Sequence, residues 1–270
     1  MRKVNFHTHT YRCNHAHGSD EEYVLEAIRN GYEELGFSDH SCWKYNSDFE
    51  SHVRMSVQGF NSYKKSIMNL KEHYADQIEI KLGMEAEYFP DYMDWMLDFC
   101  IENEVDYLIL GNHYDRTDET GVYFGHTTYS HMRDYFELCM EGLRTGMYSY
   151  LAHPELILRS VEWDDYVEML FSKLCRVCKE LDIPLEYNVL GMQVNMRSGK
   201  EAYPHHKFWE LAGFYHNKAI IGMDAHHPAH LSKKLYEAAL DNLSQYEVEI
   251  IDEIPLKDFK AIKRAKQGLK

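Results

Sequence analysis

The residues of this chain that can do chemistry begin with His7 and His9, two residues apart in Val4-Asn5-Phe6-His7-Thr8-His9-Thr10. In an extended strand, residues i and i+2 face the same way. The two imidazoles then project together, about 7 Å apart at Cα, which suits two nitrogens holding one metal ion. Taken alone, the pair reads equally well as two polar residues at a strand end. Groups further along the chain bear on the choice: Asp39 and His40, Glu85 and Glu87, His113, His153, Glu186 and Asn188, Asp224 and His226, and the loop His15-Ala16-His17. Imidazole and carboxylate donors suit zinc, manganese or iron. The supply exceeds the roughly four ligands of a single zinc. It implies a multinuclear site in which a carboxylate bridges two ions. Such a site clamps a phosphate and makes hydroxide available near neutral pH.

The elements that must position these groups alternate along the chain. Strand-like runs fall at 3–9, 35–40, 78–88, 107–113, 148–153, 184–189 and 219–226. Helical patterns fall at 19–31, 57–75, 91–103, 128–145, 162–181, 205–216, 229–242 and 256–266. Ser19 with Glu22 three residues on is a capping-box pattern. Pro90-Asp91 signals a helix start and Gly146 a helix stop. Regular strand–helix alternation implies a parallel sheet. Every one of the seven strands ends in a metal-competent or strongly polar group. That favours a closed barrel over a doubly wound sheet, because β/α barrels gather such groups at the C-terminal ends of their strands. No Gly/Ser/Pro-rich linker interrupts the pattern, so the expectation is a single catalytic domain over 1–270, with 118–125 as a loop on the active-site side.

Composition narrows the function classes. With 29 Lys+Arg against 44 Asp+Glu, the formal charge is −15. A general nucleic-acid or anionic-membrane surface needs a basic face, and no apolar run approaches the roughly 18 residues of a membrane span. Met1-Arg2-Lys3 leads into no apolar signal region, which makes the cytoplasm the default compartment. The cysteines are scattered, and the one CxxC, Cys175 and Cys178, lies in a helical pattern. Both read as reduced thiols in or near the core. Oligomeric state is not legible.

The motifs resemble, in order, the PHP (polymerase and histidinol phosphatase) family, and within it the histidinol-phosphate phosphatases. They are His7-Thr8-His9-Thr10, Cys13-Asn14-His15, Phe37-Ser38-Asp39-His40, Gly83-Met84-Glu85-Ala86-Glu87-Tyr88, Gly111-Asn112-His113, Ala152-His153-Pro154, Glu186-Tyr187-Asn188 and Gly222-Met223-Asp224-Ala225-His226. The resemblance spans about 5–230. It implies a distorted (β/α)7 barrel and three divalent ions. His7, His9, Glu85 and Asp224 would hold the first. Glu85 would bridge to the second, completed by His113 and His153, and His15, His40 and His226 would take the third. His17 has no assignment. The implied reaction is hydrolysis of a phosphomonoester, L-histidinol phosphate in histidine biosynthesis, by a metal-bridged hydroxide, with Glu85, Asp224 and His226 as the catalytic groups. Another PHP phosphatase or phosphodiesterase acting on a small metabolite or nucleotide is the alternative. A module beside a DNA polymerase is disfavoured by length and charge.

Phosphate also favours guanidinium. Arg197, after Asn188, is the first choice and Arg159, after His153, the second, both expected in loops facing the mouth. Arg116 is a weaker candidate. Glu87, Asn188 and Asp39 are expected to bond the substrate or support a ligand, and His230 to face the site from a helix start. The remaining histidines read as ordinary polar residues, and most of the 21 tyrosines and 12 phenylalanines as packing.

Overall fold

The computed structural model describes residues 1–268. Among them, eight strands form one sheet, every neighbour parallel and in chain order. The strands are β1 (Val4–Asn5), β2 (Glu34–Phe37), β3 (Glu79–Ala86), β4 (Tyr107–Leu110), β5 (Tyr150–Leu151), β6 (Leu185–Asn188), β7 (Lys218–Gly222) and β8 (Glu249–Ile250). The seven expected strands are all present, each shorter than expected, with β2 and β7 starting one residue earlier than read. β8 is additional.

The sheet curls until its first and seventh strands meet. Past the end of β1, Thr8 bridges Ala225 in parallel. His9 N donates to Ala225 O at 2.9 Å and Ala225 N to His7 O at 3.1 Å. At the opposite end, β8 pairs only with Lys218 and Ala219 of β7, and Asp252 just beyond it accepts from Arg2 N at 2.6 Å. The ring thus has seven members at the rim that carries the ligands, and β8 wedges it open at the other. That is the distortion of the barrel, in terms of backbone pairing.

Helices α1 (Asp20–Arg29), α2 (Phe60–His73), α3 (Met93–Asn103), α4 (Met132–Arg144), α5 (Asp165–Glu180), α6 (Val189–Ser198), α7 (His206–Phe214), α8 (Lys233–Leu243) and α9 (Phe259–Lys266) accompany the strands. The capping box forms: Glu22 N donates to Ser19 Oγ at 3.3 Å and Ser19 N to Glu22 Oε2 at 2.6 Å. It satisfies two amide groups that α1 would leave orphaned. Cys175 and Cys178 are buried, unpaired thiols on α5, as expected. α6 is a departure from the sequence reading, which places a loop there.

Two apolar layers hold the barrel. Val4, Phe6, Tyr107, Ile109, Tyr150, Ala152, Ile220 and Ile254 fill its interior, as in other closed β/α barrels. A larger cluster that includes Phe37, Leu108, Phe136, Phe171 and Trp209 joins the strands to the helices. Each such ring or aliphatic chain stabilises by about 1.5–3 kcal/mol when fully buried. The Tyr107 hydroxyl is satisfied inside the barrel by donating to Phe6 O at 2.8 Å.

Candidate metal centre

Apart from His15, in the loop that follows the 3₁₀ turn Tyr11–Cys13, the candidate ligands stand at or just past the C-terminal ends of strands. Glu85 is on β3. His9 follows β1, His40 follows β2, His113 follows β4, His153 follows β5 and Asp224 follows β7. Two of them leave their strands in an unusual conformation, His153 at φ +35° and Asp224 at φ +48°. Left-handed backbone is costly for residues with a Cβ and recurs where side chains are held for function. Glycines make room for the carboxylates. A Cβ on Gly111 would lie 2.0 Å from Glu85 Oε1, and one on Gly222 would lie 1.8 Å from Glu186 Oε1.

The first cluster joins His7, His9, Glu85 and Asp224. His7 Nε2 and His9 Nε2 are 3.1 Å apart. His7 Nε2 is 3.6 Å from both Glu85 Oε2 and Asp224 Oδ1, and His9 Nε2 is 3.5 Å and 3.2 Å from the same two oxygens. A tetrahedral ion with ligands at about 2.0–2.1 Å needs edges of about 3.3–3.4 Å, so these spacings fit one. Glu85 Oε2 is buried and accepts no well-aligned hydrogen bond among the described residues, although His40 Nδ1 lies 3.0 Å away, and an ionised oxygen tolerates this poorly unless a cation faces it.

The other carboxylate oxygen faces a second group. Glu85 Oε1 is 2.8 Å from His153 Nε2 and 3.4 Å from His113 Nε2. One carboxylate thus divides between two sets of imidazoles, the arrangement of a bridging ligand. A third group brings nitrogens of His15, His40 and His226 within 4.8 Å of one another. His15 Nδ1 donates to Cys13 O at 2.7 Å and His226 Nδ1 to Asp224 O at 3.0 Å, leaving each Nε2 free to ligate. His40 also approaches the first cluster, its Nδ1 3.0 Å from Glu85 Oε2.

The supporting partners are carboxylates. His7 Nδ1 donates to Glu186 Oε1 at 2.7 Å. His9 Nδ1 is 3.4 Å from Asp39 Oδ1, and Asp39 is fixed by Thr10 Oγ1 and His40 N. His113 Nδ1 donates to Glu87 Oε1 at 3.2 Å. Such contacts set the tautomer that aims Nε2 at an ion. The electrostatics point the same way. Burial alone would raise the pKa of Glu85, but His113 and His7 hold it well below the carboxylate range. Burial opposes a charge on His7 as well, yet Glu186, Asp224 and Glu85 lift it to about 10. The carboxylates therefore demand positive charge at this spot. Burial, with His9 beside it, holds His40 neutral, down to about 3, as a ligand imidazole must be.

A cavity of about 340 Å³ opens over these groups, within the size range of small-molecule sites. His9, His15, His40, Glu85, His113, His153, Asp224 and His226 form its floor; Arg159, Tyr123, Tyr203, Leu156, Leu190 and Val53 are among its walls. Arg159 is half-buried at the end of the 3₁₀ turn Leu156–Arg159, its Nη1 donating to Tyr123 Oη at 3.3 Å.

Other expected substrate contacts turn out differently. Arg197 lies on the last turn of α6 rather than in a loop. It is exposed, outside the cavity lining, with its Nε donating to Gln193 O. Arg116 is exposed as well. Glu87 lines the cavity, but its oxygens are taken by Arg54, Trp43 and His113, which fits the expected support of a ligand. Asn188 caps α6 by accepting from Gly191 N, and its amide donates to Glu186 and Asp224. His230 Nδ1 accepts from His226 N at 3.2 Å and lies outside the lining. The His17 side chain is exposed, while its backbone N donates to His226 O. The sequence reading missed Arg54, Tyr123 and Tyr203, which carry no spacing signal, and it left Glu186 unassigned although it shares a strand face with Asn188.

The PHP domain model matches residues 5–189. The chain belongs to the PHP domain family. It is homologous to proteins named as histidinol-phosphatases. It is 24% identical over 241 residues to a "Probable histidinol-phosphatase" of Deinococcus radiodurans, covering 86% of this chain and 89% of that one. A histidinol-phosphatase of Lactococcus lactis is 23% identical over 201 residues, covering 70% of this chain and 72% of its own. A Lactococcus lactis histidinol phosphate phosphatase, solved with zinc, L-histidinol and phosphate, superposes with a TM-score of 0.69 at 16% identity, covering 95% of this chain and 99% of that one. This last likeness is one of fold. Among the described residues, no helix is long and apolar enough to cross a membrane.

Proposed function

We propose that this PHP protein is a metal-dependent phosphomonoesterase that hydrolyses L-histidinol phosphate to L-histidinol and phosphate. The observation that carries the reading is Glu85, whose two oxygens face two separate imidazole sets, His7 with His9 and His113 with His153. The relatives named as histidinol-phosphatases support the choice of substrate. Three divalent ions fit the donors: one on His7, His9, Glu85 and Asp224, one on Glu85, His113 and His153, and one on His15, His40 and His226. Zinc, manganese and iron all accept this set. Bound there, such ions supply a water of lowered pKa and charge to stabilise phosphoryl oxygens.

The chain's own groups do the rest. Glu85 and Asp224 remain ionised at working pH, because the surrounding imidazoles hold both well below the carboxylate range against the cost of burial. His226 is oriented by its Nδ1 bond to Asp224 O. Arg159 offers a charged donor to a phosphoryl oxygen at the cavity wall. Tyr123, Tyr203, Leu156 and Leu190 give the organic half of the substrate a largely apolar wall, which strengthens the polar contacts at the floor by excluding water. Turnover of histidinol phosphate compared with a panel of phosphodiesters tests the reading, with metal content measured on the same sample. Faster turnover of diesters would overturn the substrate, and full activity with clearly fewer than three ions would overturn the trinuclear assignment.

A further inference from the structure

Arg54 belongs to the long connection between β2 and α2, the same connection that carries His40 but far in sequence from Glu85, His113 and His153, and its side chain is only 1% exposed. Its guanidinium is almost fully spent. Nη2 donates to Glu87 Oε1 at 2.7 Å, Nη1 to Glu87 Oε2 at 2.9 Å and to Ser41 O at 3.2 Å, and Nε to Asp118 Oδ2 at 3.1 Å. A two-pronged pair of this kind fixes a carboxylate in orientation as well as position. Glu87 is thereby held with Oε1 facing His113 Nδ1 at 3.2 Å. An imidazole that donates from Nδ1 presents its Nε2 lone pair at the opposite end, and His113 Nε2 is 3.4 Å from Glu85 Oε1, beside His153. The chain of contacts runs Arg54, Glu87, His113, Glu85.

Asp118, after β4, is tied to the same arginine and also accepts from Tyr45 and Ser51. One buried cation thus joins two loops over the cavity to one ligand histidine. Burying it is expensive, and fold closure alone gives no reason to place it beside a ligand's partner.

We propose that Arg54 is a positioning residue for the second ion: from the cavity wall, where its donors are turned to Glu87, Ser41 and Asp118, it clamps Glu87, fixes the tautomer and aim of His113, and so sets the affinity of the His113–His153–Glu85 position without itself ligating an ion. The inference rests on the metal-dependent reading above. The test uses the full chain, stripped of metal and titrated with zinc against a competing chelator. Arg54→Lys keeps the buried charge but removes the fork. It is expected to weaken one ion of the three by about 10- to 100-fold, leaving the other two at wild-type affinity, and to add nothing further in a His113→Ala background. Should Arg54→Lys fail to fold, Arg54→Met/Glu87→Gln removes the Arg54–Glu87 pair, leaving Asp118 to Tyr45 and Ser51, and is expected to show the same single-site loss. Wild-type zinc affinity in the variant that folds, equal weakening of all three ions, or a loss additive with His113→Ala would each overturn the proposal. A wild-type chain that binds three ions but does not hydrolyse histidinol phosphate would overturn the proposed substrate and leave this inference intact.

Discussion

Glu186 shows how much of this site is carried by one side chain that touches no ion. Its Oε1 accepts from His7 Nδ1 at 2.7 Å, and its Oε2 from His153 N at 2.9 Å and Asn188 Nδ2 at 2.8 Å. It therefore supports candidate ligands of both the first and the second proposed position. Glutamine has the same shape but only one acceptor oxygen, so an NH2 would face a donor on one side. Glu186→Gln is expected to weaken metal binding about 10- to 100-fold with the barrel intact; chelator competition and circular dichroism check this, and unchanged affinity would refute it. The two arginines separate in the same way. A charged hydrogen bond is worth about 1.5–3 kcal/mol, so Arg159→Ala is expected to raise KM by tenfold or more. Arg197→Ala, exposed and off the cavity, should change KM by less than about twofold. Equal effects of the two substitutions on KM would show that the wall has been assigned to the wrong residue.

At the scale of elements, the strand ends matter more than the strands. Gly222, the last residue of β7, leaves the space that Glu186 of β6 fills, and a Cβ there would sit 1.8 Å from Oε1. Gly222→Ala must expel the carboxylate, so it should reproduce the metal loss of Glu186→Gln although residue 222 bears no donor; metal content after dialysis is the measurement, and a full complement of ions would refute it. The same end-of-strand logic explains what could be read in advance. The seven strands and the ligands at their ends show in the sequence, because apolar runs closed by His, Asp or Glu repeat with helical patterns between them. The strands are shorter than read, since the chain leaves its ladder where a ligand must turn inward, as at His153 and Asp224. β8 escaped because two residues pairing at one edge leave no periodicity. α6 escaped because Asn188 ends a strand and caps a helix at once, with no turn residue to mark the change. Arg54 was illegible for another reason: its partners come from three distant segments, and nothing local records them.

For the molecule as a whole, the candidate ligands tie residue 7 to residue 224 in a chain whose formal net charge is −15, and its buried carboxylates bear on how stability depends on pH. Glu155 is the clearest case. It is fully buried behind His153, its Oε1 accepting only from His205 N at 3.3 Å, and Oε2 has no partner among the described residues. Burial pushes its pKa from 4.5 up to about 8. Below about pH 4.5 the carboxyl is protonated folded and unfolded, and costs nothing. Between the two pKa values the unfolded chain ionises while the folded chain keeps its proton, so stability falls as pH rises through this window. Above about 8 the folded chain must carry the buried charge, and the full loss, on the order of 5 kcal/mol before relaxation, is reached. Glu155→Gln keeps the acceptor for His205 N and removes the titration. Urea unfolding of both chains, stripped of metal so that ligand histidines contribute equally, should give similar stabilities near pH 5 and a variant more stable by a few kcal/mol near pH 9. Parallel curves across that range would mean that Glu155 ionises in the folded protein at little cost, with water reaching it through the turn after β5.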